Sequence, residues 1–187
     1  MESSNRDSKD FDYSEDELIQ VLLKQLTDPR EDFNIFAIRE LKHYHSAKII
    51  EELAAIILTD SEEKKKLEAI KSLKSRKPNE YVKNIILNQL TSPSEDIRSE
   101  AAEFLKEYGE IVEKDIKTLL KKEIPTYSKE KAIWLLGQVG EKDTIGFLEK
   151  LKQPNNKKLD DVITDSIGAI KTRNVRLLLD DMKKNVE

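Results

Sequence analysis

The chain has 187 residues, 37% of them charged, with only five glycines, five prolines and no cysteine. That composition excludes disulfide frameworks, thiolate catalysis and cysteine-ligated metals, and it argues against glycine-rich phosphate loops and β-rich folds. The net charge of −4 sits at one end: residues 1–17 hold seven acids and two bases, while the remaining 170 hold 30 acids and 31 bases.

Residues 1–13 form an acidic tail, too polar to bury a core of their own and expected to be disordered or loosely packed. Its aromatics, Phe11 and Tyr13, are expected to pack on the first helix pair as a hydrophobic staple. From residue 14 onward the chain reads as one repeat domain, 14–187. The first repeat, 14–45, opens with Ser14 and Glu17 at capping-box spacing. Leu18, Val21, Leu22 and Leu26 then follow at helical intervals. Pro29 interrupts, and a second helix carries Ala37-Ile38-Arg39-Glu40-Leu41.

The second repeat, 46–77, copies this plan. Ile49, Ile50, Leu53 and Ile57 line its first helix, Asp60 and Glu63 have capping-box spacing, and Ala69-Ile70-Lys71-Ser72-Leu73 marks its second. The third, 78–109, has Val82, Ile85, Ile86 and Leu90, then Pro93, then Ala101-Ala102-Glu103-Phe104-Leu105. The fourth, 110–140, has Ile116, Leu119 and Leu120, then Pro125, then Ala132-Ile133-Trp134-Leu135-Leu136. The fifth, 141–172, has Ile145, Leu148 and Leu151, then Pro154 and a weaker copy, Ser166-Ile167-Gly168-Ala169-Ile170. The small residues heading these signatures are spaced 32, 32, 31 and 34 residues apart. A second signature, Leu26-Thr27-Asp28-Pro29, returns as Leu58-Thr59-Asp60-Ser61 and Leu90-Thr91-Ser92-Pro93 at steps of 32. Two signatures in phase define a tandem array in which no pair buries its apolar face alone. The small leading residue is expected where paired helices approach closely. Gly109 and Gly140 fall just after helices, where a left-handed residue is expected. Val175, Leu178, Leu179 and Met182 predict a separate terminal helix over 173–184, able to cap the last pair. The fold class is therefore all-α, an α-α superhelix of about five pairs plus a capping helix.

The run Ala132-Ile133-Trp134-Leu135-Leu136-Gly137-Gln138-Val139-Gly140, followed by Ile145, Leu148 and Leu151, is similar to the pattern A-A-x-A-L-G-x-x-G of HEAT repeats. Ile97-Arg98 ahead of Ala101 resembles the family's Val-Arg start. Over residues 18–171 the chain resembles the HEAT repeat superfamily, in particular the short HEAT-like repeats of the phycobilisome (PBS) lyase type. Repeats two and five depart most, with Arg76-Lys77 and Arg173-Asn174 in place of the hydrophobic–Gly ending. The resemblance implies a curved stack with first helices outside and second helices lining a concave face. It implies fold more than function, because such repeats serve lyases, a hydroxylase, DNA glycosylases and many plain adaptors.

His43 and His45 are the only histidines. Spaced by two, they would point to different helix faces, and the His-Glu dipeptides of the hydroxylases are absent, so no metal or cofactor is expected. Without cysteine and with two histidines a nucleophilic triad is not expected either. Residues 61–77 hold seven bases and three acids, a candidate phosphate-contacting segment running through Lys64 to Lys77. The next second helix is acidic, with Glu100, Glu103 and Glu107 on one face, which disfavours a nucleic-acid groove of one sign. The expectation is a non-catalytic, cytoplasmic scaffold that binds a protein partner, with a bilin-lyase-like subunit or nucleic-acid binding as alternatives. With no apolar run in its first residues and no run of ~18 apolar residues elsewhere, neither a secretory signal nor a membrane span is expected. In the family register, Arg39, Lys71, Glu103, Trp134 and Gly168 form one concave ridge. Phe36, Glu68, Glu100, Lys131 and Asp165 form the next, and His43, Ser75, Glu107 and Gln138 a third. The expected partner-binding residues are Trp134, Lys131, Glu100, Glu103, Glu107, Lys71, Arg39 and Gln138. Trp134 falls either on that exposed ridge or between adjacent helices as core.

Overall fold

Apolar residues recurring at three and four residue intervals leave each helix with one oily stripe, and pairing buries it. A computed structural model describes residues 13–76, 79–153 and 155–184, the last five as backbone only. Among these residues all regular structure is helical, in five consecutive pairs. They are α1 (Glu15–Gln25) with α2 (Glu31–Leu41), α3 (Ala47–Thr59) with α4 (Glu63–Lys74), α5 (Glu80–Gln89) with α6 (Glu95–Lys106), α7 (Glu113–Leu120) with α8 (Thr126–Val139), and α9 (Thr144–Glu149) with α10 (Lys157–Lys184). A 3-10 turn, Gly109–Val112, leads into α7.

The second helices pack on one another in unbroken series, α2 on α4, α4 on α6, α6 on α8 and α8 on α10. On the other side α3 packs closely on α5, and the later first helices are bridged by polar contacts. Lys83 of α5 is buried and places its ammonium 2.6 Å from Asp115 of α7. Glu113 of α7 accepts from Thr144 Oγ1 at 2.7 Å and from the Glu141 N–H at 2.9 Å. Tight second-helix contacts beside looser first-helix contacts are consistent with a stack that curves toward its second helices. The array is an α-α solenoid.

The leading small residues sit where the expectation puts them: Ala37, Ala69, Ala101 and Ala132 expose no surface. α8 and α10 approach closely: a Cβ on Gly137 would lie 2.8 Å from the Ser166 Cα. The Ser14–Glu17 capping box forms in full, with the Ser14 N–H donating to Glu17 at 2.9 Å and the Glu17 N–H to Ser14 Oγ at 3.3 Å.

Three local expectations are corrected. The Asp60–Glu63 box does not form, because α4 begins at Glu63 and the Asp60 carboxylate instead accepts the Glu62 N–H at 2.8 Å. The Glu63 carboxylate is drawn across to the Ser94 hydroxyl of the next repeat. Gly109 is left-handed at φ 58°, but Gly140 is extended at φ −70°. Gly140 is required for room, since a Cβ there would meet the Leu136 carbonyl oxygen at 2.6 Å. Finally, no separate helix spans 173–184: α10 runs unbroken from Lys157 to Lys184. Lys171-Thr172-Arg173-Asn174 contains neither proline nor glycine, so nothing stops the helix there. Of the residues expected to cap the last pair, Val175, Leu178 and Leu179 are exposed, and the Met182 side chain lies outside the described residues. Phe11 lies outside the described residues; Tyr13 is half exposed.

Candidate protein-interaction face

The face is built by the second helices, whose outward positions recur every 31 to 34 residues. Most of its charged residues are engaged between repeats. Arg39 of α2 donates Nε and Nη2 to the Glu68 carboxylate of α4, at 2.9 and 3.0 Å, and Lys71 Nζ lies 3.6 Å from the same carboxylate. Lys74 of α4 reaches Glu107, just past the end of α6, at 3.5 Å. Lys131 of α8 crosses to α6, with Nζ 3.0 Å from Glu95 Oε1 and 3.0 Å from Ser99 Oγ. Lys158 of α10 crosses to Glu130 of α8 at 2.7 Å. Glu103 pairs within its own helix with Lys106. Glu100 is half-buried and has no ion pair among the described residues.

The ridges therefore bind the stack together as well as facing outward. Sequence reading did not single out Glu95, Ser99 or Glu68 as partners of this network. The available signal was opposite charge or a hydroxyl recurring one repeat apart, as Arg39 and Glu68 do 29 residues apart.

Trp134 takes an intermediate position between the two sequence expectations. It is half-buried and packs against the core, yet one edge lines a shallow groove with Gln138 and with Val162, Asp165, Ser166 and Ala169 of α10. Lys131 Nζ stands 5.6 Å from its ring centroid and Lys106 Nζ 6.0 Å, at the outer range for cation–π attraction. Gln138 is half-buried, and its main-chain carbonyl accepts from Arg173.

His43 and His45 lie beyond the last residue of α2, both exposed. Among the described residues no group of three or more His, Cys, Asp or Glu is placed to hold a metal ion, and no helix is long and apolar enough to cross a membrane. The basic segment is largely paired: Lys64 with Glu31, Lys65 with Asp60 and Glu62, Lys71 with Glu68, and Lys74 with Glu107. Arg76 donates to main-chain carbonyls, and Lys77 lies outside the described residues.

The cross-repeat carboxylates are acidified by their partners. Glu95 is lowered to about 2, first by the Lys131 ammonium and further by Arg98 and Ser99, against partial burial. Glu68 is lowered, first by the Arg39 guanidinium. Asp28 is lowered to about 2 by the side chain and main-chain N–H of Arg30. Carboxylates depressed on folding stabilise the fold fully above their ordinary pKa and lose that contribution as pH falls through the folded value. Thermal melts followed by circular dichroism should therefore show Tm falling progressively between about pH 4.5 and pH 2. In Glu95→Gln the pH 7 Tm should be lower and the acid decline shallower; an unchanged profile would contradict the assignment.

Residues 50–123, from α3 into the loop after α7, match the family model for HEAT repeats. Over that central stretch the chain is similar to HEAT repeats. No curated protein matches the chain. Among solved structures, the crystal structure of an engineered protein, a structural-genomics target, is similar at 17% identity, covering 82% of this chain and 79% of that one with a TM-score of 0.47.

Proposed function

We propose that this chain is a non-catalytic scaffold that holds a protein segment on its second-helix face, with Trp134 as the anchor. HEAT repeats commonly serve as protein-interaction scaffolds, and the repeat length of 31 to 34 residues, with the Ala132–Gly140 pattern, supports the short type found in phycobilisome lyases. That kinship is one of repeat type, not of reaction. The observation that carries the reading is the half-exposed Trp134 ring at a groove between α8 and α10, flanked by two ammonium groups. A large aromatic with a dry inner edge and an open outer edge is the side chain most enriched among interface hot spots. Lys106 and Lys131, though paired with Glu103 and Glu95, place positive charge beside it, and Glu100, without an ion pair among the described residues, favours a basic group a turn or more away. Arg39 and Lys71, already paired with Glu68, act as rim charges that shape encounter more than affinity.

Trp134→Ala should weaken capture of the partner from native cell extract at least tenfold, by about 1.4 kcal/mol or more. Far-UV helicity should be unchanged, with a drop in Tm of a few degrees from the lost packing. Because Trp134 is the sole tryptophan, its fluorescence should shift when the captured partner is added back to wild-type protein. Unfolding of Trp134→Ala would make Trp134 core; full capture by a folded variant would move the site elsewhere.

A further inference from the structure

The first repeat exposes what the inner repeats bury. Val21 is 46% exposed, whereas residues 32 and 64 positions on, Leu53 and Ile85, are 0% and 6% exposed. Phe33 is 39% exposed, and its counterpart Ile97 is 4% exposed. Phe36 is 53% exposed, while its counterpart Glu68 is turned against the preceding helix by Arg39. In the inner repeats Leu53, Ile85 and Ile97 are buried. In repeat one these positions leave exposed apolar side chains along the N-terminal edge of the stack.

We infer that this edge is a docking surface for the chain's own N-terminal segment, residues 1–12, with Phe11 seated against Val21 and Phe36. The segment joins the stack at this end, since α1 begins at Glu15. Its reach suffices: residues 11–13 extended span about 10 Å at about 3.3 Å per residue. Val21 lies about 10 Å along the helix from Ser14, at about 1.5 Å per residue. Phe11 is the only aromatic residue among those twelve, so the segment has one natural anchor and an otherwise polar strap. End-to-end docking of a second copy is disfavoured by charge. It would bring together two stretches, residues 1–17, that each hold seven acids and two bases.

The test is a double-mutant cycle in the full chain, with Phe11→Ser, Val21→Ser and the double variant followed by thermal melts. Each single change should lower Tm by a few degrees, and the double should fall no further than the larger single, because both remove one contact. Additive losses, or no loss from Phe11→Ser, overturn the inference. Should Val21→Ser fail to fold, Val21→Thr keeps the shape and completes the cycle. Light scattering from micromolar to millimolar protein should show a monomer; a larger species abolished at Val21 would assign the edge to a second copy and overturn the inference. Neither readout involves Trp134, so failure here leaves the second-helix face untouched.

Discussion

Leu105→Ala is expected to lower the stability of the whole stack by about 2–5 kcal/mol, the range for removing three side-chain carbons from a rigid core. Leu105 is fully buried on α6, in the central pair, and α6 packs against α4, α5 and α8. In a solenoid each pair touches only its neighbours, so stability is close to a sum of pair terms and junction terms. A cavity at Leu105 weakens the α4–α6 and α6–α8 junctions together, and the two ends should lose their coupling. Urea unfolding of the variant, followed by circular dichroism, should therefore show a lower midpoint and a broader transition than wild type. Leu58→Ala is the comparison, because Leu58 is exposed on α3 and should cost about 0.5 kcal/mol or less. Equal losses from the two variants would refute the stacking account.

Which parts of this molecule were legible in its sequence follows from the range of the interaction concerned. The helix pairs were, because an apolar stripe and a small residue at each close approach are local requirements repeated every 31 to 34 residues. The Ser14–Glu17 box was legible for the same reason, being closed within one turn. Asp60 and Glu63 had the same spacing and failed, because α4 begins at Glu63 itself, which puts Glu63 at the first helical position instead of the third; its carboxylate meets Ser94, 31 residues on. Gly140 was expected to adopt a left-handed conformation and instead serves as a space next to the Leu136 carbonyl. Sequence spacing cannot separate a conformational glycine from a steric one. The candidate face was placed by register, but its electrostatics were not: Arg39, Lys71 and Lys131 were expected to meet a partner, and the structure gives each an ion pair on its own chain. The burial of Trp134 depends on how α10 lies against α8, and α10 runs on where the pattern suggested a break.

The two places where the repeats depart from the family ending lead to the second large prediction. Arg76 donates Nη1 to the Tyr44 carbonyl and Nη2 to the Leu41 carbonyl, each at 2.7 Å. Arg173 donates to the carbonyls of Gly137, Gln138 and Gly140. In both cases a guanidinium reaches back one repeat to carbonyls at or just beyond the C-terminal end of the preceding second helix, α2 or α8, where helical partners run out; the Leu41 carbonyl is shared with the Tyr44 N–H. Turn glycines close a helix upon itself; these arginines close the previous helix instead, and so tie pair one to pair two and pair four to pair five. Arg76→Ala and Arg173→Ala should each cost about 1–3 kcal/mol for every part-buried carbonyl left unpaired. A lysine retains the favourable charge at the helix end, worth about 0.3–1 kcal/mol. It lacks the planar fork that serves two carbonyls at once. Arg76→Lys and Arg173→Lys should therefore recover less than half of the loss in a thermal melt. Full recovery by lysine would show that charge alone acts at these ends, and that the fork is incidental to how neighbouring pairs are joined.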